Sequence, residues 1–600
     1  MQKENQIRQK FLPTTKKDLE QRGIAQLDVL IITGDAYVDH PSFGHAIIAR
    51  LVESLGYTVG VISQPNWQGN EDFVKLGRPR LCVMVSAGNM DSMVNHYTAN
   101  KKKRRGDNYT PGGIAGKRPD RATMVYCNKV RENFGDIPLI IGGIEASLRR
   151  LAHYDYWSDK VRRSILVDSR ADLLVYGMGE LATREILSRL NSGEDVKNLT
   201  DIEGTCYKTH EVPKENCIVL PSYAEVSSDK KKYAEAFATA YRENDPFNGK
   251  KLAQDQGAWL VVQNRPARPL TQNEMDEVYA LPYTRKWHPD YDNVGGVPAL
   301  AEVKFSVTQH RGCFGECAFC AIASHQGRII QSRSDASVLA EIESLTHEPD
   351  FKGYISDLGG PTADFTHPQC EKCTKFGACR EKSCLFPVPC KNLNTSHSHY
   401  ISLLERAKKI KGVKKIFIRS GLRFDYILAE KSSAFLEYIC ENNISGQLKI
   451  APEHASANVL QLMRKPKKQV FEEFAKQYKK INDKLGKKQF LVPYFISSHP
   501  GATLEDAIEL AEFIRDTGLR PEQVQDFTPT PGSASTCMYY TEIDPFTGEK
   551  IYVAKSAEER KMQRALLQYF MPENKDLVKK ALIKAKRFDL IGSGKKCLVR

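Results

Sequence analysis

The sequence predicts an α/β protein built from two successive β/α series. Short apolar runs rich in β-branched residues recur through the first two hundred residues, with amphipathic helical stretches between them. The same alternation begins again near residue 303. Such alternation is the pattern of parallel strands covered by helices. A chain of 600 residues exceeds one core, so more than one domain is required.

In the first series, DVLIITG (28–34), YTVGVIS (57–63), RLCVMVSAG (80–88), IPLIIGG (137–143) and ADLLVYG (171–177) read as buried strands. FGHAIIARLVESLG and EASLRRLAHYDYWSDKV read as helices between them. Together they predict a doubly wound parallel sheet over residues 1–205. The loop from Asn95 to Arg121 carries eight Lys/Arg against two Asp. It leaves the carboxyl end of a strand, where open α/β sheets bind ligands. Residues 206–295, with a lysine-rich helix and several prolines, read as a connector that wraps.

The second series covers 296–545. EVKFSVTQ, GYISDLGG, KKIFIRSG, GQLKIAPEH, QFLVPYFISSHPG and VQDFTPTPG supply six strands. DASVLAEIESL, SSAFLEYICENN, KQVFEEFAKQYKKINDKL and TLEDAIELAEFIRDTG supply helices. Six β/α units predict a partial (β/α)6 TIM-like barrel, with its chemistry at the carboxyl ends of the strands. A cysteine-rich insertion occupies 366–400, and 546–600 form a basic, partly helical C-terminal segment.

Composition narrows the function. Hydrophobic residues make up 41% and charged residues 27%, and no apolar run reaches membrane-spanning length. The polar, acid-bearing first residues lack the apolar segment of a secretory leader, so a cytoplasmic location is expected. The net charge of +14 reads as a lysine-rich solvated surface, with RNA as the alternative anionic partner. Eight of the fifteen cysteines fall within 313–390, and clustered thiols in a reducing compartment point to metal rather than disulfides.

Cys313, Cys317 and Cys320 follow directly from the first strand of the second series, in the order C-x3-C-x2-C with Gly312 and Gly315 in the loop. Structural zinc closes with four protein ligands, and a [4Fe–4S] cluster is usually held by four thiolates. Three thiolates would leave one iron open to a small-molecule ligand.

This loop, with Phe319 before the last cysteine, resembles the signature of the radical S-adenosylmethionine superfamily. The resemblance implies a [4Fe–4S] cluster on Cys313, Cys317 and Cys320. It also implies an S-adenosylmethionine bound at the open iron and cleaved reductively to a 5′-deoxyadenosyl radical, with electrons from a flavodoxin- or ferredoxin-type donor. Gly359 and Gly360, at the end of the second strand, match the glycine turn that binds the S-adenosylmethionine amino group in that superfamily. Pro361 stands where an acid often follows. Arg419 and Ser420, or Arg423 and Asp425, are candidates for the carboxylate or ribose. Glu453, His454, Ser497, Ser498 and His499 are further polar strand-end candidates.

VDHPSFG, YTPGG, GGIEASLRR and VQDFTPTPGSASTCMYYT extend the resemblance over nearly the whole chain, to the YgiQ family, whose substrate is unassigned. Catalytic residues acting on substrate are not identified. The N-terminal fold resembles the cobalamin-binding-like domains that precede many radical barrels. Here, however, the order DHPSFG sets His40 one position away from the D-x-H-x-x-G pattern that cobalamin ligation would need, so cobalamin is not expected. Gly177 and Gly179 form a G-x-G-x-x-A turn on the fifth strand, without other support for a dinucleotide.

Cys370, Cys373, Cys379, Cys384 and Cys390 form a second group, followed by His397 and His399. Four of the five thiols could hold zinc or a second iron–sulfur cluster, and spacing does not choose between the metals. The expected activity is a radical S-adenosylmethionine enzyme of unidentified substrate, RNA among the candidates. The alternative is an RNA-binding protein organised by metal around the basic 101–121 loop.

Overall fold

The computed structural model describes residues 8–522 and 524–600. It divides into two compact units. One runs up to Ser306 and includes 324–327 and 331–341; the other comprises 307–323, 328–330 and 342–600.

In the first unit, β1 (Val29–Thr33), β2 (Val59–Ser63), β3 (Cys82–Ser86), β4 (Leu139–Gly142) and β5 (Leu173–Val175) coincide with the five predicted strands. They pair in parallel in the order β2-β1-β3-β4-β5. Alternate residues of each strand face opposite ways. Leu30 and Ile32 of β1 therefore join a core with Tyr126, Cys127 and Val130 of helix α1 (Ala122–Phe134). Val29 and Ile31 join a second core with Ala49 and Val52 of the helix Gly44–Ser54, and Ala182 and Ile186 of the helix Glu180–Asn191. Both faces of the sheet are thus covered, which is why its strands read as continuous apolar runs.

The sheet has nine strands rather than five. β6 (Thr205–Thr209), β7 (Cys217–Val219), β8 (Lys251–Asp255) and β9 (Leu260–Gln263) extend it in the order β5-β6-β9-β8-β7. The segment read from sequence as a connector therefore supplies most of this extension. Its strands TCYKT and KLAQD are short and mixed in polarity, so they lack the buried-strand signature. The helix expected over 145–161 also ends early. It spans Gly143–Leu148, and His153–Asp155 then pairs with Lys160–Arg162 as a hairpin. Arg149 and Arg150 at the break are buried; Arg149 meets Asp91, and Arg150 donates to Gln263 Oε1 at 2.7 Å.

The basic loop 95–121 folds back over the carboxyl ends of β1 and β3, where the strand order reverses. Lys101–Arg105 are exposed, but Arg118 is wholly buried. Its guanidinium donates to Ala87 O (2.7 Å) and pairs with Asp35 (2.9 Å) and Asp107 (3.2 Å).

In the second unit, strands stand at all six predicted places: β10 (Ser306–Thr308), β11 (Tyr354–Ile355) with β12 (Asp357–Gly359), β13 (Lys415–Ile416), β14 (Gln447–Glu453), β15 (Phe490–Ser497) and β16 (Val524–Asp526). β10 neighbours β12, β11 pairs in parallel with β13, and β14, β15 and β16 form a parallel sheet. A single parallel bridge, Leu422 to Ile450, links the third strand region to β14. The strands thus follow one another in chain order as short ladders, and no closed barrel forms among the described residues. The C-terminal segment is helical. Met562, Leu566, Val578 and Leu582 pack against Ile508 and Ala511 of the helix Leu504–Thr517. Among the described residues no helix is long and apolar enough to cross a membrane.

Candidate functional site

The three-cysteine loop starts where the first two strands of the second unit are tied together. Gln309 N–H donates to Gly359 O at 2.7 Å. The His310 ring bridges the same ends, with Nδ1 2.7 Å from Gln309 Oε1 and Nε2 2.9 Å from Thr362 O. Gly312 then turns the chain with φ +91°, and a Cβ there would stand 2.4 Å from Ile329 O. Only glycine meets both demands.

Beyond that turn the loop is pinned from several sides. The Phe314 ring stacks on Phe365 at 3.7 Å. Ala318 N–H donates to Met463 O (3.0 Å), and Ser535 N–H donates to Ala318 O (2.9 Å).

Each thiol meets a polar neighbour. Cys313 Sγ lies 3.5 Å from the Thr362 hydroxyl, Arg423 Nη1 donates to Cys317 Sγ at 3.1 Å, and Ile322 N–H donates to Cys320 Sγ at 3.5 Å. Burial, with the neighbouring Cys317 adding to it, raises the Cys313 thiol. Burial, then Cys317 and Cys313, pushes Cys320 up to about 12. The thiolate forms of Cys313 and Cys320 are therefore costly unless a cation shares the site. Among the described residues no three Cys, His, Asp or Glu side chains already stand in metal-ligating geometry, so the sulfurs would have to close in together to hold one.

The glycine turn lies against this loop. A Cβ on Gly360 would fall 2.5 Å from His310 Nε2, and one on Gly359 would fall 3.1 Å from Ser420 Oγ. The Ser420 turn is fixed by Asp357, which accepts from Arg419 N–H (2.7 Å), Ser420 N–H (3.1 Å) and the Ser420 hydroxyl. The Arg419 side chain is exposed. Phe319 is half-buried, edge-on to His499 at 6.3 Å, and packs against Val459, Met463 and Ala502.

Arg423 and Asp425 are spent on each other. Two parallel N–H···O bonds of 2.8 and 2.7 Å join them, and the remaining Arg423 Nη1 faces Cys317 of the cysteine loop. Burial opposes both charges; Arg423 nonetheless holds Asp425 below the usual carboxylate range. Glu453 ends β14 with φ +70°, and burial lifts its carboxyl to about 7 against the pull of Lys465. His454 accepts from Ser456 N–H (3.1 Å), and His499 Nε2 lies 2.6 Å from the Ser535 hydroxyl. Sequence reading missed Asp357, Thr362 and the contact from Arg423 to Cys317. The R-x-D spacing was visible, but its partner lies 106 residues away.

In the first unit, Ser42 N–H donates to His40 Nδ1, and the Arg285 guanidinium lies beside Nε2, both at 3.1 Å. Both ring nitrogens of this buried histidine are thus engaged inside the unit. Gly177 N–H donates to Ser147 Oγ (3.1 Å), while Gly179 caps the helix Glu180–Asn191; a Cβ on it would stand 3.2 Å from Val175. The turn serves helix–strand packing.

Comparison with known proteins gives these features a family. A UPF0313 protein of Clostridium botulinum (strain 657) is 57% identical over 98% of this chain and 92% of its own length. The chain belongs to the UPF0313 family. A UPF0313 protein of Clostridium perfringens (strain SM101) is 56% identical over 98% of this chain and 90% of its own. The family model Radical SAM N-terminal matches residues 11–306, and a domain of unknown function, DUF3362, matches 522–600. This UPF0313 chain is therefore a radical S-adenosylmethionine family protein, as its motifs imply. Among solved structures it is similar to TsrM, a radical S-adenosylmethionine methyltransferase of Kitasatospora setae, with TM-score 0.48 and 12% identity over 85% of this chain and 76% of that one. It is also similar to OxsB, a cobalamin-dependent S-adenosylmethionine radical enzyme, with TM-score 0.47 and 10% identity over 95% of this chain and 63% of that one.

Proposed function

We propose that this protein is an enzyme that cleaves S-adenosylmethionine reductively to begin radical chemistry on a substrate not yet identified. In this reading Cys313, Cys317 and Cys320 hold a [4Fe–4S] cluster, and the six strands in chain order serve as a partial (β/α)6 barrel. The observation that carries the reading is a pinned three-cysteine loop after the first strand, with the Thr362 hydroxyl at Cys313 Sγ, the Arg423 guanidinium at Cys317 Sγ and the glycine turn against it. The donor set fits: three sulfurs leave one iron for a ligand, and the surroundings offer a positive charge to offset the thiolates. When bound, a cluster there would supply the chemistry of one-electron reduction of S-adenosylmethionine; a flavodoxin- or ferredoxin-type protein would supply that electron.

The protein's own residues have distinct tasks. Arg423 places a buried, fixed cation on Cys317 Sγ. A hydrogen bond to a cluster sulfur raises reduction potential, so Arg423 would ease one-electron loading. Gly359 and Gly360 let backbone approach where a ligand amine would sit. Phe319, His499 and Phe527 form a run of edge-on aromatic contacts, with Phe527 5.3 Å from His499. Burial there keeps water from a reactive intermediate.

The test is anaerobic. The reduced protein with S-adenosylmethionine should form 5′-deoxyadenosine, and C313A/C317A/C320A should lose that product to background together with one cluster's iron. A fully loaded protein that forms none would overturn the reading in favour of a non-catalytic, metal-organised binding protein.

A further inference from the structure

The strands of the second unit have one covered side and one open side. On the covered side Ile355, Ile416, Leu448, Ile450 and Phe495 are buried, and the helix Ser398–Lys408 packs on β13. The residues between them point the other way. There the parallel registers set Tyr354 beside Lys415, Gln447 beside Phe490, and Lys449 beside Val492. This second side lies open to water. Tyr354 is 48% and Phe490 66% exposed, and Arg419 and Lys449 are exposed with them.

Rings and cations alternate on the open side. The Tyr354 ring stacks on Phe417, with 6.2 Å between centroids and 20° between planes. Lys414 Nζ lies 6.0 Å from the first ring and Lys415 Nζ 5.3 Å from the second. The carboxylates of these strands are turned elsewhere. Asp357 accepts from the Ser420 turn, Asp526 accepts from the Ser497 hydroxyl, and Glu453 is buried opposite Phe495.

The two ladders adjoin and lead to one place. Ile418 N–H donates to Asn443 O at 3.4 Å, and Leu422 bridges Ile450. From Phe417 the chain runs through Arg419 to Ser420, which meets the glycine turn at Gly359. On β15, Ile496 follows Val492 and Tyr494 on the open side. It packs with Phe319 of the cysteine loop against Val459, Met463 and Ala502.

We propose that the open side of β11, β13, β14 and β15 binds single-stranded nucleic acid and leads it toward the cysteine loop. Exposed rings stack bases, and cations between them meet phosphates; a single strand offers both because its bases are free to stack. An acidic peptide would meet the cations and leave the rings in water. Binding is independent of S-adenosylmethionine cleavage, whereas the bound strand's being the substrate rests on the reading above.

The probe is a fluorescein-labelled oligouridylate of about twelve nucleotides, bound to the full-length chain and followed by anisotropy. Tyr354→Ala and Phe490→Ala should each weaken binding about tenfold or more. Lys449→Ala should weaken it and lower the salt slope by about one. Lys480→Ala, at an exposed position on the helix Lys468–Leu485, should leave affinity unchanged. Thermal unfolding like that of the wild type verifies that these surface variants fold. Tighter binding of the oligouridylate or of an oligothymidylate would each support the face and name its sugar. Duplex RNA or polyglutamate bound as tightly as the oligouridylate would overturn it, as would folded ring variants that bind like the wild type. Oligonucleotide binding by a loaded protein that forms no 5′-deoxyadenosine would sink the earlier reading and leave this one standing. Formation of 5′-deoxyadenosine without oligonucleotide binding would overturn this one alone.

Discussion

The protein finishes two strand-end regions in opposite ways. At the carboxyl ends of β1 and β3 the chain returns on itself and fills the crevice with Arg118, Asp35 and Asp107. At the carboxyl ends of β10 and β12 it leaves three thiols, a glycine turn and a cation directed at sulfur. Strand order marks the first as a ligand position, and the place of the second after the first strand of the β/α series marks it likewise. What separates them is whether the polar groups satisfy one another. The first edge is closed chemically; at the second, three thiols lie together and a cation reaches Cys317.

The sharpest way to break this comparison is to remove the plug. Arg118→Ala leaves two buried carboxylates without their cation, a loss that ordinarily costs about 3–5 kcal/mol. Thermal unfolding should show the first unit destabilised by that amount, with the second unit's unfolding unchanged. An Arg118→Ala protein as stable as the wild type would mean that the guanidinium does not seal the edge.

A second test of the sealed edge uses pH. Asp35 is raised to about 6, first by burial and then by Asp107 sharing the same guanidinium, against the pull of Arg118. The folded state therefore holds a proton that the unfolded state releases near 3.8. The unfolded chain binds fewer protons between those values, so stability falls as pH rises from about 4 to 6. The full drop is about 3 kcal/mol, from roughly two pKa units at 1.36 kcal/mol each. Asp35→Asn should flatten that part of the stability profile. An unchanged slope in denaturant titrations at stepped pH would exclude Asp35 as its source.

How much of this was legible follows from the range over which each signal acts. VLIIT and CVMVS declare buried strands within five residues, so the parallel part of the first sheet could be read directly. The strands TCYKT and KLAQD could not, because they gain their place from neighbours rather than composition. The cysteine loop is legible because its three cysteines lie within eight positions. The plug is not, since Arg118 finds Asp35 83 positions away along the chain. The R-x-D spacing likewise suggested a ligand clamp at Arg423, whereas the fold turns its free nitrogen to Cys317. Spacing reveals which groups can converge locally, and tertiary contacts decide which group each one serves.

The smallest effect sharpens the open edge. A Cβ on Gly360 would meet His310 O at 2.7 Å as well as the ring, so Gly360→Ala must displace the turn. Overpacking of this kind costs about 1–3 kcal/mol. Gly421, one residue beyond the Ser420 turn, has no atom within 4 Å of a Cβ and serves as the matched control. If the glycine turn receives the S-adenosylmethionine amine, Gly360→Ala should weaken its binding by roughly tenfold or more at constant iron content, since 1.4 kcal/mol is a factor of ten. Gly421→Ala should leave binding within about twofold. Equal affinities in the two variants, measured by equilibrium dialysis of S-adenosylmethionine against the loaded protein, would remove the turn from the site and leave the thiols as the open edge's only distinguishing feature.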